Sequence, residues 1–197
     1  MTLARPAPSL DPCSPPEPEP FGPEEAALLR AAIAGDPPAR EELVRRHHRR
    51  VYAYLLQLTR HRQDAEDLTQ HTFLKALRHL ARVDPARPVL PWLITIARRT
   101  ALNHFRDGPR WSELPEDSTA SSTASPARQA ENRERVDQLW EKARRVLSAR
   151  EYEILWLRFA EELSVADIAA VVDLTRIHVK VIIHRARERL LKGESPP

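Results

Sequence analysis

The chain has 197 residues, a formal net charge of only +3, four glycines, eighteen prolines and a single cysteine, Cys13. That length leaves room for one or two compact domains, and the weak net charge means that any affinity for nucleic acid must come from local patches. One cysteine excludes an intrachain disulfide framework or a cysteine-based zinc site, while abundant Ala, Leu, Arg and Glu with so little Gly predict an all-α fold.

Residues 1–23 carry eight of the eighteen prolines together with acids, a composition that cannot bury enough apolar surface to order itself. They read as a disordered Pro-rich tail. The opening MTLARPAPSL lacks an apolar signal core, and no uncharged apolar run approaches the length of a membrane span. The expectation is a soluble, cytoplasmic chain with no membrane insertion.

Helical periodicity runs over residues 24–106. Leu43, Val44, His47, Val51, Tyr54, Leu55 and Leu58 recur at three and four, which predicts one buried stripe. After a turn at residues 61–63, the segment DAEDLTQHTFLKALRHL predicts a helix that buries Ala65, Leu68, Thr72, Phe73, Ala76, Leu77 and Leu80. Its outward side carries Asp64, Asp67, Gln70, His71, Lys75 and Arg78. A proline-studded loop, RVDPARPVLP, leads into WLITIARRTALNHFR. There the spacing predicts Leu93, Ile96, Ala97, Thr100, Ala101 and His104 inside, and Thr95, Arg98, Arg99, Asn103 and Arg106 outside.

Residues 107–130 are rich in Ser, Thr and Pro and predict a flexible linker. Helical pattern resumes over 131–192, and 193–197 form a short tail. The expected architecture is two small helical domains on a tether.

The end of the chain is the most informative part. LSVADIAAVVDLTRIHVKVIIHRARERLL, residues 163–191, reads as two short helices with a tight turn. Ser164 with Asp167 signals the first helix start, Asp173 falls at the turn, and Thr175 is placed to cap the second helix. Arg176, Lys180, Arg185, Arg187, Arg189 and Lys192 then face a single acid, Glu188. This is a helix-turn-helix layout whose second helix suits a major groove. The plainer reading is a helical hairpin with a solvated basic face.

Catalytic and metal signatures do not emerge. His47 and His48 are adjacent and diverge, and His178 and His184 are six apart and off one helical face. No nucleophile–base pair, phosphate-binding glycine loop or carboxylate pair is recognisable. The sequence therefore predicts a non-enzyme without metal or cofactor.

Three segments together resemble the small extracytoplasmic-function group of bacterial RNA polymerase sigma factors, in the sigma-70 family. DAEDLTQHTFLKAL resembles the region 2 helix that docks on polymerase. WLITIARRTALNHFR is similar to the next helix, usually near W-L-x-x-I-A-R-N-x-A-L-D, with Arg99 here in place of Asn and Asn103 in place of Asp. The segment from LSAREYEILWLRF through RARERL resembles region 4, with Asp173 at the usual turn glycine. The resemblance implies a region 2-like domain over 24–106, a region 4-like domain over 131–192, and a promoter-specificity subunit. Its partners would be core RNA polymerase, promoter DNA and an anti-sigma factor.

Carried over residue by residue, it implies polymerase contacts at Asp64, Asp67, Gln70, His71 and Lys75. It implies minus-ten contacts at Arg82, Arg87, Trp92, Arg98, Arg99, Asn103 and Arg106, and minus-thirty-five contacts at Thr175, Arg176, His178, Lys180, Arg185, Arg187 and Arg189. The apolar set Ile177, Val181 and Ile182 on the same helix leaves a second possibility open, a sigma-like decoy or adaptor that binds polymerase or a regulator without reading DNA.

Overall fold

The computed structural model describes residues 22–107 and 127–192, and every regular element among them is helical. Most of the predicted N-terminal tail, all of the C-terminal one and most of the predicted linker lie outside these residues, as does Cys13, while the last tail residue, Pro23, opens α1. The helices are α1 (Pro23–Ala34), α2 (Pro37–Thr59), α3 (Arg62–His79), α4 (Val89–Asp107), α5 (Ala127–Val146), α6 (Ala149–Phe159), α7 (Val165–Val172) and α8 (Arg176–Lys192). A 3-10 turn, Leu80–Arg82, follows α3.

Local chemistry sets the boundaries. Gly35 takes a left-handed conformation (φ 100°) that closes α1, and the Asp36 carboxylate then accepts the Ala39 N–H at 3.3 Å to open α2. Pro37 occupies the first turn of α2, where no intrahelical N–H is required. The same tolerance lets α4 begin at Val89, with Pro91 in its first turn, so the helix takes in part of the predicted loop. Ser148 and Glu151 form a reciprocal capping box at the start of α6. α5 begins at Ala127, inside the stretch that composition assigns to the linker.

Packing joins the two halves rather than leaving them apart. One continuous buried cluster includes Leu29, Val51, Leu55, Ile94 and Ala97 from the first half and Ile154, Leu157, Ile168 and Val179 from the second. α4 packs against α2 and α3 on one side and α7 on the other. A smaller cluster holds Ala143, Val146, Leu147, Tyr152, Leu155 and Ala186, edged by Trp140 and Trp156 whose ring centroids lie 4.8 Å apart.

The α2 stripe forms as expected, with Leu43, His47, Val51, Tyr54 and Leu55 buried. His47 is the costly member. Neither ring nitrogen has a hydrogen-bond partner in the protein, and the nearest carboxylate oxygen, on Glu25, stands 3.7 Å away. Burial, helped by the positive charges of Arg50 and Arg46, lowers its pKa to about 4 from the ordinary 6.5.

The folded protein therefore holds His47 neutral while the unfolded chain takes up a proton below about pH 6.5. Stability should fall as pH drops from about 6.5 and level off below about 4, by about 3 kcal/mol from this group alone. Urea unfolding across that range checks it. His47→Leu should flatten this component of the pH dependence, and an unchanged profile would show that His47 is not its source.

Candidate docking and nucleic-acid interfaces

α3 is held in place by its first turn. The His61 Nδ1 accepts the Asp64 N–H at 3.3 Å, and Asp64 itself lies 3.7 Å from His104 Nε2 on α4. Lys75 also reaches across, its ammonium donating to Thr100 Oγ1 at 3.2 Å. Asp64 and Lys75 are thus engaged with α4. Asp67, Gln70 and His71 are exposed on the outward side of α3, with Gln63 donating to Asp67 Oδ1 at 3.4 Å.

The exposed ridge has a member that pattern reading missed. Leu74 follows Gln70 at i+4 and precedes Arg78 by the same interval, and it is 48% exposed. Its neighbours at positions 73 and 76 are buried, so the stripe argument places Leu74 outward even though its chemistry argues inward.

α4 departs most from expectation. Arg98 does not face water: its side chain is 19% exposed, and Nε donates to Glu153 Oε1 of α6 at 2.9 Å. The Tyr54 hydroxyl of α2 donates to the same oxygen at 2.6 Å. Burial and the adjacent Glu153 charge push the Tyr54 phenol well above its ordinary value, so it stays a donor. His104, expected inside, is exposed, and Ile94, absent from the expected stripe, is wholly buried. α7 packs on α4 in addition to α2 and α3, so α4 buries more than the single face that its spacing predicts.

Two further polar bridges reinforce this seam. The Arg50 Nε donates to buried Glu161 Oε2 at 2.8 Å, and its Nη2 reaches the Glu161 carbonyl. Burial raises the Glu161 carboxyl above its ordinary value, and the Arg50 contact opposes that shift. Gln57 Oε1 accepts from the Tyr152 hydroxyl at 2.8 Å and from Arg144, whose guanidinium stacks 4.6 Å over the Tyr152 ring.

The remaining polar minus-ten candidates, four arginines and one asparagine, sit on the outer side of α4 and on the preceding loop. Arg82, Arg87, Arg99, Asn103 and Arg106 are exposed, with Arg87 Nε 3.6 Å from Asp84. Trp92 is half-buried and packs against the core at the start of α4.

α7 and α8 form the expected helix-turn-helix. Ser164 Oγ accepts the Asp167 N–H at 3.1 Å and its hydroxyl donates to Asp167 Oδ2 at 2.5 Å. Asp173 takes the left-handed turn conformation (φ 56°), and Thr175 Oγ1 accepts the His178 N–H at 3.3 Å. Val179 and Ala186 are buried, while Ile182 and Ile183 pack half-buried against the neighbouring helices.

Thr175, Arg176, His178, Lys180 and Arg185 are exposed. Arg187 is half-buried, and Arg189 is committed inward, its Nη1 donating to both Glu151 carboxylate oxygens at 3.0 Å. Ile177 is 73% exposed and Val181 39% exposed, so the apolar set divides: Ile182 belongs to the core side and the other two face out.

Among the described residues no three potential metal ligands gather, and no helix is long and apolar enough to cross a membrane.

The family pattern described as Sigma-70 region 2 matches residues 43–110, which include α3 and α4. Sigma-70 region 4 matches residues 143–192, which include α6 to α8. The RNA polymerase sigma factor YlaC of Bacillus subtilis is 30% identical over 157 residues, covering 78% of this chain and 90% of that protein. The ECF RNA polymerase sigma factor SigM of the same organism is 28% identical over 154 residues, covering 76% and 91%. Among solved structures, the sigma factor RpoE of Bartonella quintana, in complex with the anti-sigma factor NepR, superposes with a TM-score of 0.60 at 23% identity. The match covers 78% of this chain and 94% of that one, and it supports the fold. With both regions present in order and a relative matched over nearly its whole length, the chain belongs to the sigma-70 family of RNA polymerase sigma factors, in the extracytoplasmic-function group.

Proposed function

We propose that this sigma factor docks on core RNA polymerase through the outward ridge of α3, with Asp67, Gln70 and His71 as polar contacts and Leu74 as an apolar one. The cations around α4, Arg82, Arg87, Arg99 and Arg106, engage the melted minus-ten strand, and α8 enters the major groove at the minus-thirty-five element. It works in the cytoplasm by binding rather than by covalent chemistry. An anti-sigma factor restrains it, a reading that the complexed RpoE structure supports by analogy.

The observation that carries this reading is the pairing of regions 2 and 4 in one chain, with exposed cations on the outward side of α8. Arg98 is held by Glu153 in the closed arrangement, so it joins the minus-ten contacts only when α6 releases it.

Run-off transcription with purified core polymerase, followed by mapping of start sites, tests the proposal. Promoter-dependent initiation that needs this chain is the expected result. Inhibition of another sigma factor without initiation of its own would replace the reading with a decoy or adaptor.

A further inference from the structure

The exposed surface of α8 is ordered in a way that its cation count does not reveal. With 3.6 residues per turn, each position rotates by about 100°, so Val181 lies about 40° from Ile177, and buried Val179 and Ala186 lie about 160–180° away. Ile177 and Val181 therefore form the outermost ridge of the helix, opposite its packed side. His184 and Glu188 continue that ridge, paired at 3.7 Å.

The cations flank the ridge instead of lying on it. Lys180 and Arg176 sit about 60° and 100° to one side, and Arg185 and His178 about 80° and 100° to the other. All four are exposed.

We propose that Ile177 and Val181 determine the specificity of the minus-thirty-five contact by reading the C5-methyl groups of two thymines. This rests on the reading of α8 as a major-groove helix. A helix about 10–12 Å across fills a major groove about 12 Å wide, bringing its outer ridge to the base edges and its flanks to the two phosphate strands. Branched aliphatic side chains have no donor or acceptor to offer a base edge, and the apolar group displayed in that groove is the thymine methyl.

The two side chains are one helical turn apart, about 6 Å along the axis, which corresponds to about two base-pair steps of about 3.4 Å. A protein partner is the poorer fit. Two apolar side chains bordered on both flanks by cations supply far less than the roughly 800 Å² per partner of a stable protein interface, and the cations suit phosphate.

Thymine and uracil differ by that methyl alone, which makes the test direct. The full chain with core polymerase is mixed with duplex templates randomised in the minus-thirty-five and minus-ten windows, and heparin-resistant complexes are recovered and sequenced. The best templates are then remade with uracil at each enriched thymine of the minus-thirty-five window. Thymine should be enriched at two positions about two steps apart, and uracil at either should lower retention by about fourfold.

Ile177→Ala should abolish thymine–uracil discrimination at one position and Val181→Ala at the other. Arg185→Ala should lower retention of both forms alike, with a smaller salt slope. Stable complexes that retain thymine and uracil templates equally would overturn the inference while leaving the sigma reading intact. If no heparin-resistant complex forms on any template, both fall. The wild-type comparison needs no variant, so the result does not depend on how a substitution folds.

Discussion

Arg98→Ala is expected to open the seam between the two halves of the molecule. The substitution removes the guanidinium that faces Glu153, whose side chain is only 9% exposed, and leaves its charge with the Tyr54 hydroxyl as its remaining described hydrogen-bond partner. Stranding one member of a buried ion pair costs about 3–5 kcal/mol. Region 4 can escape that cost by moving away and letting water reach Glu153, so the closed-to-open ratio should fall by about two to four orders of magnitude.

Small-angle scattering of the intact chain should register a larger radius of gyration for Arg98→Ala. Glu153→Gln in the same chain should restore compactness, because a neutral amide can still meet Tyr54 without stranding a charge. An unchanged radius and an unchanged urea midpoint in Arg98→Ala would show that the pair contributes little to closure. Expansion that the second substitution does not reverse would point to lost packing rather than to the charge.

The second large effect concerns polymerase. Asp67 and Gln70 are exposed, so replacing both with alanine should leave the unfolding midpoint nearly unchanged. The loss of the hydrogen bond from Gln63 to Asp67 costs only about 0.2–0.5 kcal/mol on an exposed helix. An interface hydrogen bond to a charged partner is worth about 1.5–3 kcal/mol, so each change should weaken core binding by about tenfold or more, and the pair by about a hundredfold. Competition for core enzyme against the wild-type chain measures this directly. Equal competition by the double variant would remove this ridge from the docking surface and leave the remainder of α3 to be tested.

The helices themselves were legible because each buries a face that repeats along its own sequence. The α2 stripe, the Ser164 and Thr175 caps and the turn at Asp173 depend on neighbours within a few residues, and short-range spacing carries that information. Arg98 is the counterexample. Its helix is covered on more than one side, and the partner that draws it inward belongs to α6, on the far side of the linker. A single-face period has no way to register a second packing surface, and Ile94, outside the expected stripe, is wholly buried.

Arg189 follows the same logic. In a basic run it reads as one more phosphate contact, whereas Glu151, at the start of α6, holds it with both carboxylate oxygens. Leu74 is the reverse case, an apolar side chain that three- and four-residue spacing places outside. Such a residue is detected by asking which apolar positions the stripe leaves unused.

The Glu153 carboxylate takes donors from two different helices, the Tyr54 hydroxyl of α2 and the Arg98 guanidinium of α4. Those donors converge on one oxygen only when α2 and α4 are already packed side by side. An unfolded first half offers Glu153 no assembled receptor, and a lone donor leaves the acid short of the bonds that offset its desolvation. The buried Glu153 charge is therefore fully compensated only on a complete N-terminal bundle, so any local opening between α2 and α4 also weakens the hold on the C-terminal helices.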